Sequence, residues 1–481
     1  MPLKVEAHSG YSNLIGSGPG LAGSLGASET LPLLIPEDEP ERHYLKPLSR
    51  EELEVVAGGP GWKKFRSRLV LLFWLAWLTV LGIAITTVVL TPRPVSGHLH
   101  WWQKAVFYRI QPALFLDAEG TGSGAISRVS ERLPYLKSLG VGVMILEGLF
   151  RPDVSILNLT QIDQRLGTLP EFHQFITDSN KAGLKVILDL CSVNNNKTEL
   201  SSNASDYYQE SLRYWLEQGV SGFEICSADT AFTEKTLKWS REPVNEFGTD
   251  DNKRIIMVRE ISDYVPGSNA SNSAINSSLV ELVSRSLIPP SLNPLSAPEV
   301  AEVIESHLKT LHGEWPSWRV DGPLAWKQRK VVMVLMMTLP GTPAIRYGEE
   351  INEVPNPHNP KNSTTLFRSL SRIRSHEEAL LYGTFTSLTL NTSLIFGSTN
   401  STATPPLAFL RSWGCVHFLV LVNLGSESCA LNCTWTMSLP ESGLFVTSTG
   451  LNRFGPVTLQ SIKLQPYEAI VIKLFETNPN F

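Results

Sequence analysis

The chain has 481 residues, 42% hydrophobic and 18% charged, with 41 Lys plus Arg against 46 Asp plus Glu for a formal net charge of -5. That balance excludes a basic nucleic-acid binder and a wholly disordered chain, and the length allows roughly two or three domains at about 100–200 residues each. Five cysteines cannot all pair within the chain, so stability rests on buried apolar surface with any disulfide secondary.

Residues 1–61 read as a disordered tail, Gly/Ser-rich in GYSNLIGSGPGLAGSLGASE and acidic and Pro-broken in PEDEPER. Residues 62–68 (WKKFRSR) form a basic juxtamembrane segment with an interfacial Trp. The run Leu69–Leu90 follows, 22 residues without a charge, Asn, Gln or Pro. At 1.5 Å per residue it reaches about 33 Å, enough to cross a hydrocarbon core of about 30 Å. Lys63, Lys64, Arg66 and Arg68 flank its start and only Arg93 its end, so the positive-inside rule places the tail in the cytoplasm and the remainder outside. The Asn-x-Ser/Thr sequons agree: Asn158, Asn196, Asn203, Asn269, Asn276, Asn362, Asn391, Asn400 and Asn432 all follow the apolar run and none precedes it. The expectation is a type II, single-pass glycoprotein with an extracellular C-terminal part. Residues 91–104 form its neck, and TPRPVSGHLH, from Thr91 to His100, has no cysteine.

From Ala105 to about residue 381, short β-rich runs alternate with amphipathic segments. Strands are predicted at 105–110, 141–146, 184–190, 221–226, 254–258 and 343–348, with two more near Ser278–Ser286 and Trp315–Val320. Helices are predicted at Ile126–Leu139, Leu169–Ala182, Tyr207–Gln218, Ala297–Leu311, Leu324–Thr338 and Thr365–Leu380. Eight such units close into an α/β fold, a (β/α)8 TIM barrel. Residues 382–481 change to short alternating strands, LAFLRSW, VHFLVLVNL, GLFVTSTG, VTLQSIKL and EAIVIKLF, which predict a C-terminal β-sandwich domain. Cys415, Cys429 and Cys433 fall in it, and the short Cys429–Cys433 spacing is compatible with a bridge or with separate thiols.

The blocks RLPYLKSLGVGVMIL, QIDQRLGTLPEFHQFITDSNKAGLKVILDL, GVSGFEI and LPGTPAIRYGEEI resemble, in order, those of the α-amylase superfamily. A retaining glycosidase needs a carboxylate nucleophile and a carboxylic acid about 5 Å apart. The family places its nucleophilic Asp two residues after an Arg at the end of the fourth strand; in GFEIC those positions are Cys226 and Glu224. A Glu beside a thiol raises the thiol's pKa, so a substitute cysteine nucleophile is not expected. Where the family has His five residues after an Asp, this chain has Asn194 after Asp189. Glu260 aligns with the general acid and Asp321 with the third carboxylate, in weakly matching flanks. Asp189 and Glu260 read as satisfied barrel groups, and the site as degenerate. The segment from Cys191 to Asp206 is too short and too poor in Asp and Glu for the family's calcium-binding subdomain, so neither a metal nor another cofactor is expected.

An anchored amylase-like ectodomain without its nucleophile resembles the heavy chains of heteromeric amino-acid transporters, of the 4F2 cell-surface antigen type that lacks the inserted subdomain. Trp101–Trp102, leading into the first strand, shares the likeness. The resemblance implies a non-catalytic subunit that chaperones and stabilises a multi-spanning light chain of the L-type family at the plasma membrane. Integrin association is also implied, though no motif here signals it. Without a neck cysteine, the heterodimer is expected to be non-covalent. Two other classes remain open on the residues alone: a membrane-anchored glycoside hydrolase, which Cys226 and Glu224 oppose, and an adhesion or signalling receptor.

Overall fold

The computed structural model describes residues 49–57, 59–90, 97–116, 124–151, 159–191, 204–227, 230–249, 252–260, 277–288, 296–311, 313–322, 324–351, 364–388, 405–431 and 439–475. The chain divides into two units at Pro92.

In the first unit, residues 50–57 of the expected tail are helical (α1, Arg50–Ala57). The cause is a capping box, in which the Ser49 N–H donates to Glu52 and the Glu52 N–H to the Ser49 hydroxyl. Helix α2 (Pro60–Leu90) is continuous, so the basic segment 62–68 forms its first turns and not a separate element. Its stretch Gly61–Thr87 is the one helix among the described residues long and apolar enough to cross a membrane, and its side chains are exposed throughout.

In the second unit, eight parallel strands close a barrel in simple order: β1 (Val106–Ile110), β2 (Val141–Leu146), β3 (Lys185–Asp189), β4 (Gly222–Ser227), β5 (Ile255–Glu260), β6 (Leu282–Ser286), β7 (Trp315–Arg319) and β8 (Thr342–Arg346). Successive residues of a strand face opposite sides, and here each side has its own core. Phe107, Val143, Ile145, Ile187, Ile255, Met257, Leu282 and Ala344 fill the lumen, while Tyr108, Met144, Leu146, Val186, Leu188, Phe223 and Trp318 pack outward under the helices.

A short helix in the neck, α3 (Trp101–Lys104), closes the floor of this lumen. Trp102 is buried, stacks on His100 at 4.3 Å, and its carbonyl accepts from the Thr342 hydroxyl at 2.9 Å. The Trp101 indole donates to the Lys253 carbonyl, and the Lys185 and Lys253 ammoniums lie over Trp101 and Trp102. The end of the predicted neck is therefore part of the barrel.

The predicted helix over 126–139 is two, α4 (Ala125–Glu131) and α5 (Leu133–Ser138), because Pro134 supplies no N–H to a continuous ladder. Helices α6 (Leu169–Ala182) and α7 (Ala204–Glu217) follow β2 and β3. α6 has Thr168 and Glu171 in a capping box and Gly183 in the left-handed conformation at its end. A helix absent from the sequence reading, α8 (Thr230–Glu246), follows β4. Its buried stripe includes Thr233, Thr236 and Ser240, which carry no hydrophobic periodicity, and it contains Pro243. The predicted strand at 278–286 starts only at Leu282, after a 3-10 turn over Ser277–Leu279. Helices α9 (Ala297–Lys309) and α10 (Trp326–Thr338) cover β6 and β7. The last predicted helix splits at Glu377 into α11 (Thr365–His376) and α12 (Glu378–Leu381).

The C-terminal region is an unequal pair of sheets. β9 (Thr384–Leu388), β10 (Leu407–Trp413), β11 (Val416–Val422), β13 (Ser442–Ser448), β14 (Pro456–Thr458) and β16 (Ala469–Phe475) form one sheet in the order β14-β13-β16-β11-β10-β9. β12 (Cys429–Leu431) and β15 (Ile462–Leu464) form the other. VTLQSIKL is thus not one strand: its halves belong to different sheets. β9 and β12 were not foreseen, being polar or only three residues long. One face of the large sheet (Leu410, Leu419, Leu421, Ile470, Ile472) packs on Leu431, Ile462 and Leu464 of the small one, and the opposite face (Phe409, Phe418, Val420, Val471) joins the core beneath the barrel helices. Buried Arg411 of β10 bolts the two parts together, donating to the carbonyls of Thr338 on α10, Leu380 on α12 and Gly383. No carboxylate is among these partners, and burial pushes its pKa down to about 9.

Candidate functional site at the barrel mouth

Two residues beyond four of the lumen-filling side chains, the strands bring charge into the same lumen. Phe107 is followed by Arg109, Ile145 by Glu147, Ile187 by Asp189 and Met257 by Arg259, with Glu224 on β4 between them. The Arg109 guanidinium holds Glu224 bidentately, Nη1 to Oε1 at 2.8 Å and Nη2 to Oε2 at 2.6 Å, and its Nε donates to Glu147 at 2.6 Å. Arg259 Nη2 reaches Glu224 at 2.6 Å, Asp189 at 2.9 Å and Glu147 at 3.2 Å. Forked guanidinium–carboxylate pairing is the strongest and most directional form of such a bond.

Three carboxylates share two guanidiniums. Burial raises the pKa of Asp189, and the adjacent charge of Glu224 raises it further. Burial likewise raises that of Glu224, against the opposing pull of Arg109. For Arg109, burial alone would weaken the charge, yet Glu224, Glu147 and Asp189 outweigh it and its pKa is raised.

The residues proposed from sequence are distributed as follows. Glu224 is fully buried in this layer, and Asp189 is buried beside it. Glu260 is not in it: both its oxygens are held by Arg285, at 2.9 and 3.1 Å. Asp321 is bound by Arg319, at 2.8 and 3.0 Å. Asn194 and all nine sequons, Asn158, Asn196, Asn203, Asn269, Asn276, Asn362, Asn391, Asn400 and Asn432, lie outside the described residues, as does Cys433.

Cys226 requires a correction. It is not a thiol whose pKa Glu224 could raise, because it is bonded to Cys191, with Cα atoms 5.0 Å apart and a sequence separation of 35. Parallel pairing sets β3 beside β4, with Asp189 opposite Glu224; two residues beyond each, the cysteines meet. Cys415 and Cys429 are free thiols. Asp189, Cys191 and Glu224 bring donor atoms within 4.8 Å of one another, but with sulfur in a disulfide and both acids on guanidiniums this set does not fit a cation.

The sequence reading missed Arg109, Glu147 and Arg259. The available signal was a charge in the lumen register of an otherwise apolar strand, VFYRI and IIMVRE.

Comparisons with known proteins bear on this geometry. Residues 35–108 match the family model described as Solute carrier family 3 member 2 N-terminus, and residues 109–211 the alpha amylase catalytic domain. Amino acid transporter heavy chain SLC3A2 from Oryctolagus cuniculus is 27% identical over 515 residues, covering 94% of this chain and 92% of that protein. The chain is similar, along nearly its whole length, to amino-acid transporter heavy chains. Heavy chain SLC3A1 from Mus musculus is more distant, 21% identical over 91% of this chain and 87% of its own. The heavy-chain likeness extends to enzymes over shorter stretches: Maltase A2 from Drosophila melanogaster is 32% identical over 139 residues, 27% of this chain and 24% of that protein. Among solved structures, trehalose-6-phosphate hydrolase of Bacillus licheniformis superposes with a TM-score of 0.61 at 14% identity, over 79% of this chain and all of that one, which establishes the amylase-type fold.

Proposed function

We propose that this protein is the non-catalytic heavy subunit of a heteromeric amino-acid transporter, chaperoning a multi-spanning light chain to the plasma membrane and stabilising it there. Likeness to heavy chains over nearly the full length supports the class. The observation that carries the non-catalytic reading is the closed ion layer Arg109–Glu224–Arg259 with Cys226 locked to Cys191. Double displacement needs a free carboxylate beside the anomeric carbon and a carboxylic acid on the leaving group. Glu224 has both oxygens taken by guanidinium, and the residue in the nucleophile's place has no lone thiolate to offer.

The topology belongs to the same reading: type II, the tail cytoplasmic, the sequons extracellular and glycosylated, and α2 packed in the bilayer with Gly82 and Ala84 allowing close approach of a partner helix. With no cysteine from Thr91 to His100, association with the light chain is held by the span and ectodomain contacts, without a covalent link. Integrin association has no sequence motif in its favour.

Co-expression with L-type light chains tests the subunit role. Amino-acid uptake and surface delivery of the light chain should depend on this protein, and uptake by this protein alone would refute it. Incubating the purified full-length protein with maltose and aryl α-glucosides tests the enzyme alternative. Turnover above a denatured control would favour the glycoside hydrolase reading.

A further inference from the structure

Helix α10 opens on Trp326, Lys327, Gln328, Arg329 and Lys330, with no acid in its first turn. A helix N-terminus carries the positive end of the macrodipole, so acids are favoured there and cations oppose it. Nothing offsets that cost locally: among the described residues, Lys327, Arg329 and Lys330 form no ion pair. Of the Arg329 guanidinium only Nε is engaged among these residues, by the Leu324 carbonyl at 3.0 Å. Trp326 is 50% exposed, and the Lys327 and Lys330 ammoniums lie 5.5 and 5.7 Å from its ring centroid. We propose that this patch of Trp326, Lys327, Arg329 and Lys330 is a binding site for a sulfated polysaccharide of the cell surface.

Residues three and four apart share a helix face, so Trp326, Arg329 and Lys330 project together, with Lys327 beside Lys330. Arg346, exposed at the end of β8, acts with Arg329 on half-buried Glu349, which brings a fourth cation to the same helix end. Glu349 already receives the Arg346 N–H at 3.0 Å, and burial raises its pKa. One acid against four cations leaves a positive field that draws a polyanion. The patch lies at the mouth rim, because α10 follows β7 and Arg346 ends β8, whereas α3 closes the opposite end. A long polymer reaches that rim wherever the bilayer lies. Dense basic runs take nucleic acid or heparin-like chains; the inference rests on the extracellular placement proposed above, which leaves the glycan. Its sulfates meet the ammoniums and the guanidiniums through charge-assisted bonds, and its pyranose C–H groups pack on the exposed part of the Trp326 ring.

The test uses purified full-length protein in detergent with heparin as the probe, read by lysine acetylation and peptide mass spectrometry. Heparin should protect Lys327 and Lys330 in the unaltered chain, and salt should reverse the protection. Unsulfated hyaluronan should not protect them. Lys327→Ala with Arg329→Ala and Lys330→Ala should weaken heparin binding about a hundredfold, at about fivefold per basic residue against an anionic surface. That comparison is made in a chain carrying Lys63→Ala, Lys64→Ala, Arg66→Ala and Arg68→Ala, so that the basic segment before the span does not contribute. The triple variant should melt no lower than its parent, since the charges it loses opposed the helix dipole; a lower melting temperature would show that they serve the fold and would count against the site. Lys327 and Lys330 left fully reactive under heparin overturn the proposal. So does equal protection by hyaluronan or by phosphatidylserine vesicles, or tighter binding of single-stranded DNA than of heparin. Orientation is read separately, by protease added to intact cells, so a wrong topology and a wrong site give different results.

Discussion

Replacing Cys191 and Cys226 together by serine should destabilise the second unit by about 4 kcal/mol. The bond closes a loop of sequence separation 35. In the chain-entropy treatment, a loop of that size removes roughly 13 cal/mol/K from the unfolded ensemble, or about 4 kcal/mol at 25 °C. Arg93–Phe481 is a large unit, and at about 2 cal/mol/K per residue its unfolding entropy is near 0.8 kcal/mol/K, so the melting temperature should fall only by about 5 °C. Differential scanning fluorimetry of wild type and the double variant at one detergent concentration reads the shift, and circular dichroism reports whether the native fold persists. A drop below about 1 °C would refute the loop-entropy argument and imply that ordered structure between the cysteines survives in the unfolded chain. A drop beyond about 12 °C would mean that the bond holds the ion layer itself in place.

Arg109→Met should cost about 3–5 kcal/mol because it leaves Glu224 buried with only Arg259; the double variant Arg109→Met with Glu224→Leu should recover most of that loss in the same melting assay. Asp189→Asn tests the charge imbalance. An acid whose folded pKa is raised contributes stability below its unfolded value, about 3.9, and loses it as pH rises through the folded value. The variant should therefore melt above wild type at pH 7.5, and the difference should shrink toward pH 4. Trp102→Ala removes the floor of the lumen and should cost about 3–5 kcal/mol, measured by denaturant titration. On a non-reducing gel the heavy and light chains should run separately, and Ser96→Cys should create a linked species only with a light chain that offers its own extracellular thiol.

Much of the barrel was legible because its strands are apolar on both faces and its best helix, α6, carries its start and stop signals in Thr168, Glu171 and Gly183. α8 was not legible, since its buried stripe mixes Leu237 and Val244 with Thr233, Thr236 and Ser240, which interrupt the hydrophobic period; the Ser240 hydroxyl donates to the Thr236 carbonyl and meets the Tyr208 hydroxyl. At the candidate site, Glu224 and Cys226 could be placed by their positions in GFEIC. Their partners could not, because the side-chain contact across the lumen between Arg109 and Glu224, 115 residues apart, and the bond between two cysteines 35 apart are set by barrel closure and leave no trace in local pattern. The capping box at Ser49–Glu52 was present in the letters and outweighed by composition.

The order of strands in the large C-terminal sheet also dictates the timing of its assembly. β16 lies at its centre, between β13 and β11, yet among the described residues it is the last strand in chain order. While the chain is being synthesised, the hairpin β13–β14 and the meander β9–β11 exist with no shared edge, and the apolar rows that end on Ile470, Val471 and Ile472 stay open. The sheet can close only once Ala469–Phe475 has been made and inserted between those two parts. A nonsense change between residues 459 and 468 would release a chain with every other strand of this sheet made and an unfilled slot between β13 and β11.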